Sequence, residues 1–132
     1  MRISGFFLLS IFLTLSSCYN VERNCVQFHK GTFKFQEIIG DQLKSSTFLR
    51  TESLEIEYYE EKIDSANIRW INDCECVLTK LNPTSNQDKR PISIKIITTS
   101  ENEYIFEYAL VGDQKNKRRG LIRKMNDSLV VP

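Results

Sequence analysis

From residue 31 onward, apolar and polar positions alternate along most of the chain with a period of two. In "GTFKFQEII" Phe33 and Phe35 alternate with Lys34 and Gln36. "STFLR" is a short second run, "TES" supplies turn residues, and "LEIEYYE" sets Leu54, Ile56 and Tyr58 opposite Glu55 and Glu57. Such alternation marks antiparallel strands with one face buried and the other in water. "EEKIDSAN" reads as a polar loop and "IRWINDCECVLTKL" as the next strand-like run. "NPTSNQDKRP" is a loop dense in turn formers. "ISIKIITT" and "EYIFEYALVG", joined by "SEN", read as a hairpin. "GDQKNK" is a further turn, "RRGLIRKM" the last long strand, and "NDSLVVP" a tail or short edge strand. No long stretch carries apolar residues at helical spacing. The pattern predicts an all-β fold, a single antiparallel meander of about seven to eight strands, built as a small barrel or a two-layer sandwich.

The first residues follow another pattern. Arg2 precedes an apolar run from Ile3 to Leu15, which ends in Leu15-Ser16-Ser17-Cys18. The run is shorter than the ~20 residues of a spanning helix, and charge, apolar run and small residues together read as a secretory signal. Leu-Ser-Ser-Cys resembles the bacterial lipobox. The resemblance implies a diacylglyceryl group on the Cys18 thiol, cleavage just before it, and acylation of the new amine, for example by palmitate. Several acyl chains anchor stably, each buried methylene contributing about 0.8 kcal/mol. The expected organisation is a cleaved signal peptide at 1–17, a lipidated cysteine and short tether at 18–24, and a β domain at 25–132. The six residues after Cys18 span at most ~20 Å, which keeps the domain near its membrane. By analogy with lipoprotein sorting, Tyr19 in place of aspartate after the lipidated cysteine points to the outer membrane of a bacterial cell envelope, with periplasmic and exterior faces both open.

The chain of 132 residues suits one domain. It holds 18 basic and 17 acidic residues, and removing residues 1–17 takes away only Arg2, so the mature charge is zero. That balance supplies no general attraction to nucleic acid. "KNKRRGLIRK" gathers Lys115, Lys117, Arg118, Arg119, Arg123 and Lys124, but no aromatics interleave as they do in single-strand binders. It reads as a charged hairpin that keeps a sheet edge soluble, with anionic lipid or lipopolysaccharide groups as the available alternative.

Little in the sequence points to catalysis. The single histidine, His29, precedes the first strand and reads as a surface or edge residue. No nucleophile elbow, phosphate-cradling loop or zinc-protease motif occurs. The carboxylates Glu52, Glu55, Glu57, Glu60 and Glu61 read as a solvated sheet face rather than a glycosidase pair. No enzyme activity, cofactor or metal is therefore expected. The aromatics Phe33, Phe35, Phe48, Tyr58, Trp70, Tyr104, Phe106 and Tyr108 recur at alternating positions. They form the core or, in an unfilled barrel, line an apolar pocket. Gly31-Thr32-Phe33, with arginines in the last strand, resembles the Gly-x-Trp and C-terminal arginine of lipocalin-like barrels, with phenylalanine in place of tryptophan.

There are four cysteines. With Cys18 lipidated, Cys25, Cys74 and Cys76 remain, and three cannot all pair within one chain. Together with His29 they make up a zinc set on paper, but zinc pairs favour wider spacing than Cys-x-Cys on a flat strand. A Cys74–Cys76 bond would strain the strand. In an oxidising compartment, a staple from Cys25 to Cys74 or Cys76 closes a loop of about fifty residues and contributes about 4 kcal/mol.

"CVQFHKGTFKF", "LEIEYYE" and "IRWINDCECVLTKLNP" together resemble a family of small lipoproteins from flavobacteria and other Bacteroidota, often labelled automatically as DNA topoisomerase IV. The resemblance spans roughly Cys25 to Lys124. It implies that Cys25 and Cys74 are the paired cysteines and that Cys76, standing at the family's tyrosine, is a small buried apolar side chain. The family brings no established activity. The topoisomerase label does not fit an exported chain with no phosphate loop and no room for DNA-gate and ATPase domains.

The expectation is a monomeric, non-enzymatic, lipid-anchored β domain whose partner is the membrane and which binds no nucleic acid. Its role is either to hold an apolar or amphipathic ligand inside the barrel or to act as an interaction protein using an outer sheet face or edge on an envelope partner. An empty apolar cavity of several hundred Å³ favours the first, and an interior filled by its own aromatics favours the second.

Overall fold

The computed structural model describes residues 22–132. The expected signal peptide, Cys18 and the tether as far as Val21 lie outside the described residues. A 3-10 turn, Val26–Phe28, is followed by eight strands: β1 Gly31–Ile39, β2 Gln42–Arg50, β3 Leu54–Tyr59, β4 Lys62–Asn72, β5 Glu75–Lys80, β6 Ile92–Thr99, β7 Glu103–Leu110 and β8 Arg118–Asn126. Each pairs antiparallel with the next, and β8 returns to β1, so the meander closes into a barrel. Of the two architectures open from sequence, the barrel is the one adopted.

An up-and-down barrel sorts its connections to two ends. One end, the closed end, collects the N-terminal segment, the connections at 51–53, 73–74 and 100–102, and the C-terminal tail. The other end, the mouth, collects the connections at 40–41, 60–61, 81–91 and 111–117.

Closure rests on a short seam. β1 and β2 pair along their full lengths, from Gly31 opposite Arg50 to Ile39 opposite Gln42. β1 and β8 pair only from Thr32 opposite Asn126 to Phe35 opposite Ile122, with a register shift between Thr32 and Phe33. At the start of the seam Gly31 has φ +134°, and a Cβ there would stand 2.5 Å from the Asn126 carbonyl oxygen. Glycine lets the two backbones meet.

The core lies inside the closed-end half. Phe33, Phe48, Ile68, Cys76, Ile94, Ile96, Tyr104, Phe106 and Ile122 are buried there, with Phe28 of the 3-10 turn beneath them. Gly120 is part of this fit, because a Cβ would lie 2.8 Å from both the Phe35 and Phe106 rings.

Two sequence expectations change and one open alternative is settled. "EEKIDSAN" is mostly strand: β4 begins at Lys62 and only Glu60-Glu61 form the turn. Its polar residues conceal it because this part of β4 lies at the solvated mouth. β3 is turned over. Phe48 pairs with Glu57 and Arg50 with Glu55, so these glutamates share the inner face, while Leu54, Ile56 and Tyr58 lie on the outer face. Tyr58, expected in the core or pocket lining, stands outside between Thr47 and Ile63. The physical reason is Arg50, a buried cation that requires a carboxylate inside. Finally, "NDSLVVP" is a tail rather than an edge strand beyond Asn126. It is held by Thr32 Oγ1, which donates to the Ser128 carbonyl at 2.7 Å and accepts from the Val130 amide at 2.9 Å.

Candidate functional site

Of the expected aromatic lining, Phe33, Phe35, Tyr104, Phe106 and Tyr108 come together and pack on one another, and Trp70 packs against the same core. Ring centroids lie 5.1 Å apart for Phe33–Phe48, 5.9 Å for Phe35–Phe106 and for Tyr104–Phe106, and 5.3 Å for Phe106–Tyr108. Phe28 enters from the closed end, 4.9 Å from Tyr104. Phe33 and Ile96 have no solvent exposure. This half of the barrel is filled by its own side chains. Towards the mouth the inner wall is looser, with Phe35, Leu78, Ile92 and Tyr108 half-buried.

At the bottom of the filled half sits a group the sequence analysis missed. Arg50 is 1% exposed. Its Nε donates to Glu55 Oε2 at 2.8 Å, and Nη1 donates to the Phe28 carbonyl at 3.0 Å and the Tyr104 hydroxyl at 3.2 Å. The guanidinium lies 5.1 Å from the Phe33 ring centroid, 5.0 Å from Phe48 and 5.7 Å from Trp70. Burial works against its charge, but Tyr104 and Glu55 outweigh it and raise the pKa further. The same burial pushes the Tyr104 phenol up to about 12 and the Cys76 thiol up to about 12, although Arg50 pulls both down. The signal was present in the sequence: Phe48 and Arg50 share parity, and Arg50 and Glu55 flank the "TES" turn.

The cysteine question resolves at the same end. Cys25 and Cys74 form a disulfide, with S–S 2.06 Å and Cα–Cα 5.2 Å. Cys76 is a free thiol, 1% exposed, packed in the core. Two of the four ligands of the paper zinc set are therefore already bonded to one another. Among the described residues no group of three His, Cys, Asp or Glu side chains is placed to hold a metal.

His29 stacks on Trp70, with centroids 3.6 Å apart, and its Nε2 lies 2.8 Å from the Asp73 carbonyl oxygen. Both line a cleft of about 640 Å³ that also has Glu52 and Asp127 on its wall. Those carboxylates are engaged by Lys30 and Lys124, each at 2.6 Å. The indole Nε1 of Trp70 is buried with no hydrogen-bond partner among the described residues.

At the start of β1, Phe33 meets a lysine of the last strand. Lys124 stands 6.0 Å from the Phe33 ring centroid, and the Arg50 guanidinium of β2 lies nearer to the same ring. Lys124 Nζ also donates to the Gln27 carbonyl at 2.6 Å, joining the last strand to the 3-10 turn. Three others of the basic run pair with carboxylates of the outer face, Lys117 and Arg119 with Glu107 and Arg123 with Glu103.

The mouth carries an exposed apolar tip. Beyond Phe35, β1 pairs only with β2, and β2 meets β3 only from Thr47 onward. Residues 36–45 thus form a two-stranded tip with unpaired outer edges. Ile38, Ile39 and Leu43 on it are 74%, 55% and 63% exposed. No protein-family model, curated protein or solved structure matches this chain.

Proposed function

We propose that the protein is a non-enzymatic, lipid-anchored domain of the bacterial cell envelope that works by contact with an envelope partner rather than by carrying a ligand in its interior. The observation that carries this reading is the filled closed-end half, where Phe28, Phe33, Phe48, Tyr104 and Phe106 occupy the space a carried ligand needs. The anchor part follows from the Leu15-Ser16-Ser17-Cys18 motif, and the outer membrane from Tyr19 after it. The resemblance to flavobacterial lipoproteins supports the same address. The partner-facing feature is the β1–β2 tip. Its unpaired edge offers backbone donors and acceptors to an added strand, and Ile38 and Leu43, opposite each other on its outer face, give that strand apolar side chains to pack on.

Native mass spectrometry of the purified mature protein tests the reading. The expected species is acylated, carries one disulfide and holds no other molecule. A stoichiometric bound small molecule overturns it in favour of a carrier whose site is the looser wall of Phe35, Leu78, Ile92 and Tyr108. Labelled palmitate incorporation that survives Cys18→Ala overturns the anchor.

A further inference from the structure

The topology brings the first described residues and the C-terminal tail to the closed end, where hydrogen bonds hold both. Arg23 Nη1 donates to the Ile96 carbonyl at 2.8 Å, and the Asn24 amide to Thr99 Oγ1 at 2.9 Å. The second half of the expected tether is thus docked on the barrel. Only three residues separate Cys18 from Glu22, and four Cα steps reach at most ~14 Å. The nine-residue β1 is ~30 Å long at about 3.3 Å per residue, so acyl chains on Cys18 lie much closer to the closed end than to the mouth.

That end exposes a set of aliphatic side chains. Val26 is 55% exposed, and Leu129, Val130 and Val131 of the pinned tail are 51%, 48% and 67% exposed. The charges there do not favour an anionic surface. Lys30 and Lys124 are paired with Glu52 and Asp127, and Glu22, Asp73 and Glu101 outnumber Arg23. The contact this end fits is with zwitterionic lipid, made by aliphatic side chains in the headgroup layer.

We infer that the barrel stands with its closed end on the bilayer, Val26 and Leu129–Val131 against the headgroups, and the mouth with the β1–β2 tip pointing away. This rests on the lipid-anchor reading. It assigns a membrane-contact surface to the closed end and leaves the exposed tip free for a protein partner.

The test uses the full chain, expressed and acylated in its host, in phosphatidylcholine vesicles containing brominated lipid. Trp70, the only tryptophan, is replaced by phenylalanine, and one new tryptophan is placed at Val130 or at Leu43. Val130→Trp is expected to lose roughly half its emission and Leu43→Trp almost none, since bromine reaches only side chains in or near the headgroup layer. Quenching of Leu43→Trp as strong as that of Val130→Trp, on protein whose mass shows the acyl chains, overturns the orientation and leaves the anchor standing. Absence of acyl mass on Cys18 overturns both. Val131→Trp and Ile63→Trp, both exposed positions, repeat the comparison if either first variant fails to fold.

Discussion

Arg50 and Glu55 stand directly opposite each other across the β2–β3 hairpin, and their ion pair lies inside the barrel, with side chains 1% and 12% exposed. A buried pair is held mainly because removing one partner strands the other in low dielectric. Glu55→Ala is therefore expected to cost about 3–5 kcal/mol, and Arg50→Met with Glu55→Leu to recover most of it. Urea unfolding of the single and double variants measures both. Additive losses would show that the two groups are not coupled.

The Cys25–Cys74 bond closes a loop across 49 positions. The entropy model gives it about 4 kcal/mol, less any native strain. Cys25→Ala with Cys74→Ala should lower stability by up to that amount. Peptide mapping without reduction should recover the Cys25–Cys74 pair. Cys76 should resist alkylation in the native protein and react once urea unfolds the chain, because burial pushes its thiol up to about 12.

Stability should fall on the alkaline side. Cys76 and Tyr104 both have folded-state pKa values raised by burial, to about 12 from ordinary values of 9.0 and 10.0. A raised group contributes stability that is complete below its unfolded pKa and is lost as pH rises towards its folded one. The melting temperature should therefore hold from neutral pH to about pH 9 and then decline towards about 12. Cys76→Ser removes the earlier titration and should delay the decline by about one pH unit. An unchanged onset in that variant would assign the alkaline loss elsewhere.

Gly120→Ala tests the fit of the aromatic core. Its Cβ would lie 2.8 Å from two rings, and overpacking of this kind costs about 1–3 kcal/mol. Gly31→Ala should cost more, because there the obstacle is the Asn126 backbone and the residue also has φ +134°. Thermal melts of the two variants rank them. The reverse order would mean that the β1–β8 seam yields more readily than the core.

The strands were legible wherever water and core compete for alternate residues. β1 is the clearest case, matching "GTFKFQEII" from end to end. Alternation failed at β3 because a buried arginine reverses the rule: the face carrying Glu55 and Glu57 is the inner one. It failed at the start of β4 because the inner wall near the mouth is itself solvated, so Lys62 and Asp64 face inward as polar residues. Barrel and sandwich could not be separated from sequence, since the difference is the short pairing between β1 and β8, and period-two patterning does not encode which strand lies beside which. Of the candidate site, the aromatics other than Tyr58 were legible as one set. The Arg50 cluster went unread despite the shared parity of Phe48 and Arg50, because a lone charged residue ending a strand ordinarily signals solvent.

The disulfide also determines how the domain responds to mechanical load. A pull on the N-terminal segment reaches Cys25 before β1, and there it divides. One branch runs through the 3-10 turn into β1, and the other crosses the sulfurs to Cys74 at the β4–β5 turn. The two branches enter the barrel wall on different sides of its circumference, since β1 and the β4–β5 hairpin are three strands apart. Tension is therefore shared around the ring instead of unzipping β1 from the seam one hydrogen bond at a time. With the bond reduced, the whole force falls on β1 and its short pairing with β8.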